Sequence, residues 1–341
     1  LHWMVHSFPT RRSSDLQFGL IIVFFYIGMD FNLEKVISSS KKIYKPGIIN
    51  IIFNFILIFI ILILLGYNFI YAFGIAGVTY ASSSAITTKI IIDKKRTANP
   101  ETDFILSLSV SDDIIGTIIL ALITGFSTNS NISLMNFIEI FIKIVIAFTL
   151  TILISRLFAK KMSNFISRYI DDEILVLFMV GGMMFFAGLT HHFQLSEALG
   201  AFLFGIFIAE TGKSFEFEHK LLPIRDFALA LFFLTFGAVV ISRSQFDTSI
   251  IVLLILIVCV SIIGKFLTGY IGGKQWGLSR RRSMIAGLSI IPRGEFSIAI
   301  LKTVPAAIYP FAALFILILS IIGTIISYFA DKIVRKKPLE K

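Results

Sequence analysis

Hydrophobic residues gather into long runs separated by short polar connections, at 16–32, 46–66, 68–92, 104–125, 134–155, 172–190, 195–210, 226–242, 249–272, 283–302 and 306–330. Most approach the roughly 20 residues with which an α-helix crosses a hydrocarbon core about 30 Å thick. Lipid offers no partner to an unpaired N–H or C=O, so spans of this kind fold as helices. The pattern predicts an all-α polytopic membrane protein of about eleven spans, with no soluble domain inserted. Two runs are interrupted by polar residues. Ala81-Ser-Ser-Ser-Ala-Ile-Thr-Thr88 breaks the third, and Ser289-Ile-Ile-Pro-Arg-Gly-Glu-Phe-Ser297 breaks the tenth. They hold matching places in the two halves of the chain, the positional symmetry of inverted-repeat transporters.

Composition agrees with the pattern: 56% of residues are apolar, 15% are charged, and the mean hydropathy is +0.89. The single Cys259 excludes a disulfide or metal–thiolate framework. A net charge of +10 could suggest nucleic acid, but its placement says otherwise. The loops 33–45, 93–103, 156–168, 212–225 and 274–282, with the tail 331–341, hold 23 Lys and Arg, whereas the opposite loops hold Arg243 and Lys302 alone. This asymmetry follows the positive-inside rule and predicts a basic cytoplasmic tail at 331–341 in a cell-membrane protein. No nucleic-acid partner is expected.

The first fifteen residues read differently. They have no continuous apolar core or small-residue cleavage site, so they are not a signal peptide. Phe8-Pro-Thr-Arg-Arg-Ser-Ser-Asp-Leu16 resembles a translated sequencing adapter. Residues 1–15 are expected to be a non-native leader, with the transmembrane domain at 16–330.

Asp112 and Asp113 stand side by side inside the fourth run. One charged side chain at mid-bilayer costs about 2.5–3.5 kcal/mol on insertion scales, so a buried pair points to an ion or proton pathway. The two lie about 100° apart on a helix, share a region and face different neighbours. Hard carboxylate oxygens take either a monovalent cation or a proton, and competition between the two is the simplest form of antiport. A helix-capping acid pair is the plainer alternative.

Ser82, Ser83, Ser84, Thr87 and Thr88 supply hydroxyls and, if the helix unwinds, free backbone groups; they equally suit close helix packing. Pro292 and Gly294 mark a second backbone break, where Arg293 and Glu295 either serve half-helix ends or form a structural ion pair. Lys265 is an isolated cation in its run, either the counter-charge to Asp112 or a snorkelling side chain. Asp30 and Glu210 read as interfacial, Glu139 with Lys143 as a lateral i, i+4 pair, and His191 with His192 as solvated.

With these pieces placed, the chain resembles the monovalent cation:proton antiporters of the Kef and NapA type. The resemblance rests on Phe24-Phe-Tyr-Ile-Gly-Met-Asp30, the segment from Ala81 to Lys89, Ser111-Asp-Asp-Ile-Ile-Gly116 and Ala198-Leu-Gly-Ala-Phe-Leu-Phe-Gly205. Leu231-Phe-Phe-Leu-Thr-Phe-Gly237, Gly264-Lys265 and Arg293-Gly-Glu-Phe296 follow in order. It implies an inverted-repeat fold with two crossing discontinuous helices, moving against a panel-like dimerisation domain, and a homodimer. It also implies Asp113 as the ion- and proton-binding carboxylate, Asp112 as the partner of Lys265, and Ser82 and Ser83 at the crossing, near Thr87. The family has thirteen spans, so two N-terminal helices are expected to be missing.

The activity implied is exchange of Na⁺ or K⁺ for protons, with no cofactor. The tail carries no glycine fingerprint of a nucleotide-binding regulatory domain. A cation channel or a transport-inactive sensor on the same fold remains the alternative. Enzyme chemistry is not expected: the Gly-x-Gly-Asp motif of intramembrane aspartyl proteases and the His-Glu-x-x-His of zinc proteases are both absent.

Overall fold

The computed structural model describes residues 9–29, 33–128, 134–169, 172–214, 217, 220–228, 230, 248–304 and 308–335. Its described elements are helical. They are α1 (Pro9–Met29), α2 (Leu33–Ile51), a π-helical turn (Ile52–Ile56), α3 (Leu57–Leu64), α4 (Phe69–Tyr80) and α5 (Ser84–Asp93). There follow α6 (Pro100–Thr128), α7 (Leu134–Tyr169), α8 (Asp172–His192) and α9 (Glu197–Ala209). The last are α10 (Thr248–Trp276), α11 (Arg280–Ser289), α12 (Glu295–Thr303), α13 (Tyr309–Tyr328) and α14 (Ala330–Arg335). Seven stretches are long and apolar enough to cross a membrane, and Phe18–Met29 and Glu197–Ala209 are shorter apolar helices. The expected run at 226–242 falls almost wholly outside the described residues, as do Asp30 and the 231–237 motif.

Two units build the chain, one from Leu1–Glu34 with Leu120–Ser242, the other from Lys35–Ile119 with Arg243–Lys341. In the first unit α1 and α9 press together. A Cβ built at Gly28 would stand 2.2 Å from the Phe202 carbonyl oxygen, so only glycine permits this approach. The Phe25 and Phe204 rings stack beside it at 5.4 Å. Along α7 the exposed side chains Ile138, Phe141, Ile142, Val145 and Ile146 recur at helical spacing. Such a stripe would be a liability in water and is a compatible surface in lipid. The helix runs on to Tyr169, well past the expected end at 155. No Gly or Pro stops it, and its Arg156, Lys160 and Lys161 carry it into the polar region.

The second unit holds both interrupted helices. Helix α4 ends at Tyr80, and Ala81 and Ser83 are extended, at φ −79°, ψ 139° and φ −81°, ψ 111°. Ser83 then caps α5, its Oγ accepting from the Ile86 N–H at 3.3 Å. Serine competes with the helix for backbone partners, so a run of three is a natural place to stop one helix and start another. Helix α11 ends at Ser289. Pro292 lacks an N–H and disfavours helical geometry at Ile291, and α12 restarts at Glu295. The two breaks meet, with the Ser83 N–H donating to the Pro292 carbonyl at 2.8 Å. At Gly294 there is no room for a side chain: an added Cβ would lie 2.5 Å from Ser83 Oγ.

Candidate functional site: a buried ion pair at the crossing

Asp112 and Asp113 project from the middle of α6, both buried. Asp112 is fully enclosed and receives five donors. Asn50 Nδ2 and the Tyr80 hydroxyl (3.5 Å) reach Oδ1. The Ser82 N–H (3.3 Å), Ser82 Oγ (2.6 Å) and Lys265 Nζ (2.9 Å) reach Oδ2. Both oxygens are thus met by donors, one of them charged. The Ser82 N–H is one that the unwound segment between α4 and α5 leaves outside any helical ladder, so the break itself helps to hold the charge.

Lys265 stands on α10 with no exposed surface, and its ammonium has three acceptors: Asp112 Oδ2, Asn50 Oδ1 (3.1 Å) and Ser82 Oγ (3.1 Å). Its ammonium lies 2.9 Å from Asp112 Oδ2. A snorkelling lysine would reach toward water, whereas this one turns inward to a partner 153 positions earlier in the chain. The Tyr80 ring adds a face 5.5 Å from the ammonium.

Asp113 occupies the next position on α6 and is 8% exposed; its carbonyl accepts from Thr117 Oγ1 at 2.7 Å. Thr87, on α5, is buried and donates to the Ser289 carbonyl at 3.3 Å. That oxygen belongs to the last residue of α11, so Thr87 ties the second half of one broken helix to the end of the first half of the other. Ser83 caps α5 and bonds across to Pro292, as described above. Of the two readings for the serine–threonine segment, the broken helix is the one observed.

Arg293 lies within the second break, also fully enclosed. Its Nη2 donates to Ser261 Oγ at 2.6 Å and its Nη1 to the Ile291 carbonyl at 3.4 Å. The side chain of Glu295 is outside the described residues, as is any pair it makes with Arg293. Glu139 and Lys143 form the expected lateral pair at 2.8 Å, and His191 and His192 are exposed.

Several participants are absent from the sequence reading. Asn50 and Asn54, one turn apart in the second apolar run, bond to each other, and Asn54 Nδ2 also donates to Thr268 Oγ1 at 3.1 Å. Two amides on one face of a lipid-length run are costly unless they are bonded, and that cost is the available signal. The connection 93–103 holds another departure. Arg96 and Glu101 are not solvated loop charges but are buried against each other at 3.5 Å. Arg96 also reaches Ser289 Oγ (3.2 Å) and Asp331 (3.6 Å), while Glu101 receives Asn99 Nδ2 (3.0 Å) and stands near Arg282 (3.7 Å). These bonds fasten α5, α6, α11 and the tail helix α14 together.

Comparison with known proteins matches this architecture to transporters. A family model described as "Sodium/hydrogen exchanger, transmembrane" matches residues 16–331. The chain is 35% identical over 320 residues to an ammonium/H⁺ antiporter subunit of Alkalihalophilus pseudofirmus, covering 94% of this chain and 82% of that protein. It is 34% identical to the K⁺/H⁺ antiporter subunit KhtU of Bacillus subtilis, covering 94% and 79% respectively. A Na⁺/H⁺ antiporter of Enterococcus hirae is 26% identical, over 88% of this chain and 76% of that one. The sodium proton antiporter MjNhaP1 from Methanocaldococcus jannaschii superimposes with a TM-score of 0.63 over 96% of this chain and 85% of its own, at 17% identity, which establishes a shared fold. The buried, donor-lined carboxylate between two interrupted helices thus sits in a multi-pass membrane transporter rather than an enzyme, and the chain belongs to the sodium/hydrogen exchanger family of monovalent cation:proton antiporters.

Proposed function

We propose that this chain exchanges a monovalent cation for protons at Asp113, with Asp112 and Lys265 forming a fixed charge pair beside it. The observation that carries this division of labour is the unequal surrounding of the two carboxylates. Asp112 has both oxygens bonded and is wholly enclosed, so neither a proton nor a cation finds a vacant lone pair there without displacing a donor. Asp113 is the more exposed of the two. It takes up the cation and the proton in turn, each excluding the other, and that mutual exclusion is the exchange.

Ser82, Ser83 and Thr87 belong to the break and the helix it starts, and we assign their hydroxyl and carbonyl oxygens to replace part of an ion's hydration shell. Half-helix ends meeting at mid-membrane add partial charges of both signs, so an ion is held without a permanent deep well. Lys265 offsets the charge of Asp112, so that binding at Asp113 changes the site by one unit at a time. Arg293 contributes a second fixed positive charge to the same unit.

The ammonium and K⁺ exchangers at 35% and 34% identity support K⁺ or ammonium as the cation over Na⁺, whose exchanger of Enterococcus hirae is 26% identical. The Lys and Arg asymmetry of the loops supports a cell-membrane protein with a cytoplasmic C-terminus.

The test is fluorescence-monitored proton release from acidified inside-out vesicles, with K⁺, NH₄⁺ and Na⁺ added in turn to the parent and to Asp113→Asn. Cation-dependent release in the parent that disappears in Asp113→Asn is the expected result. Equal signals in both would remove Asp113 from the mechanism. Steady cation current without proton coupling would make the protein a channel.

A further inference from the structure

We infer that Asn50 is a positioning residue that commits Lys265 to Asp112 and so keeps its ammonium from competing with the transported cation at the neighbouring Asp113. This deepens the proposed function and rests on it.

Asn50 is completely buried and, like Ser82, bonds both members of the charge pair. Its Nδ2 donates to Asp112 Oδ1 and its Oδ1 accepts from Lys265 Nζ at 3.1 Å. The orientation of this amide is dictated by its neighbours. Oδ1 faces two donors, Lys265 Nζ and Asn54 Nδ2 (2.8 Å), and reversing the amide would set N–H against both. Asn54 is fixed in turn by Thr268 Oγ1, one turn along the same helix as Lys265. The π-helical turn begins at Ile52, directly between the two asparagines in the sequence, and π-turns of this kind concentrate at functional sites.

The need for such a clamp follows from the geometry of the charges. Lysine carries a compact charge on a flexible four-carbon stem. Asp112 and Asp113 are consecutive, and both attract Lys265 electrostatically; Tyr80 and Arg293 are the other titratable groups that face this cluster. Without a further restraint the ammonium is an internal competitor for the site the cation needs. Ser82 Oγ and Asp112 supply two acceptors to it, and Asn50 Oδ1 supplies the third. No other described side chain supplies that third acceptor.

Apparent cation affinity is read in two ways, from the cation dependence of exchange in vesicles and from the K⁺ and NH₄⁺ dependence of the melting temperature of purified protein in detergent. The proteins compared are the parent, Asn50→Ala, Asn50→Ser, Lys265→Gln and Asn50→Ala/Lys265→Gln. The melting temperature without cation reports whether each variant is folded, and Asn50→Ser keeps a small polar group should the alanine variant fail.

Asn50→Ala is expected to raise the apparent KM about three- to tenfold, the effect of one charge-assisted hydrogen bond partly replaced, with Vmax lowered less than twofold. In the Lys265→Gln background the same substitution is expected to leave affinity unchanged, because the competitor is gone. An unchanged KM, or one that falls, overturns the inference; a fall would mean that the cation displaces Lys265 from Asp112. A rise that persists without Lys265 also overturns it, since Asn50 would then act on the cation directly. A parent that neither exchanges nor is stabilised by any cation refutes the proposed function first, and this inference with it. Normal parent exchange with an unaltered Asn50→Ala removes this inference alone.

Discussion

Replacing Lys265 by methionine keeps most of the side-chain volume and removes only the charge and its three hydrogen bonds. What remains is Asp112, fully enclosed, with an apolar group where a cation stood 2.9 Å away. The attraction lost at that separation is about 6 kcal/mol at an effective dielectric of about 20. Four donors still face the carboxylate, and they soften the loss. Breaking a buried pair by removing one partner costs about 3–5 kcal/mol in soluble proteins, and that range is the expectation here.

The double variant Asp112→Asn/Lys265→Met removes both charges, and it is expected to regain at least about half of the loss. Melting in detergent measures this, with the single substitution lowering the midpoint by roughly 4–7 °C. The reasoning fails if Lys265→Met melts with the parent. It fails equally if the double variant melts below Lys265→Met, because the destabilisation would then come from lost packing rather than from a stranded charge.

Three further outcomes follow from the geometry. Gly294→Ala places a Cβ 2.5 Å from Ser83 Oγ and is expected to force the two breaks apart, lowering exchange more than tenfold; Ser83→Gly in the same chain should recover part of it, read as vesicle exchange. Arg96→Leu strands the buried Glu101 and cuts the link to Ser289, so a loss of about 2–4 kcal/mol is expected in thermal melts, with Glu101→Gln in the same chain restoring part of it. Lys143→Ala removes an i, i+4 pair whose Glu139 is largely exposed, and a change below about 0.5 kcal/mol is expected; a larger one would mean that this face of α7 is covered.

The features legible in the sequence were those encoded locally. A run of about 20 apolar residues is a helix in lipid wherever it occurs, because the backbone has no other way to satisfy itself. Three consecutive serines and a proline followed two residues later by glycine end helices by their own conformational preferences, so both breaks could be placed before the fold was known. Adjacent carboxylates in an apolar run announce themselves by their cost.

The partnerships were another matter. Lys265 meets Asp112 across 153 positions, and Asn50 meets the same carboxylate across 62. Nothing near Lys265 in the chain separates a lysine that turns inward from one that snorkels; the decision lies in whether another helix brings an acceptor within 3 Å. Arg96 and Glu101 looked like loop charges because their burial comes from α11 and α14, elements that are distant in sequence. The chain by itself therefore determined the helices, the breaks and the acids, since each is a property of neighbouring residues in a low-dielectric solvent. Only the tertiary structure decided which polar group satisfies which, because a buried charge is settled by whatever the packing places beside it.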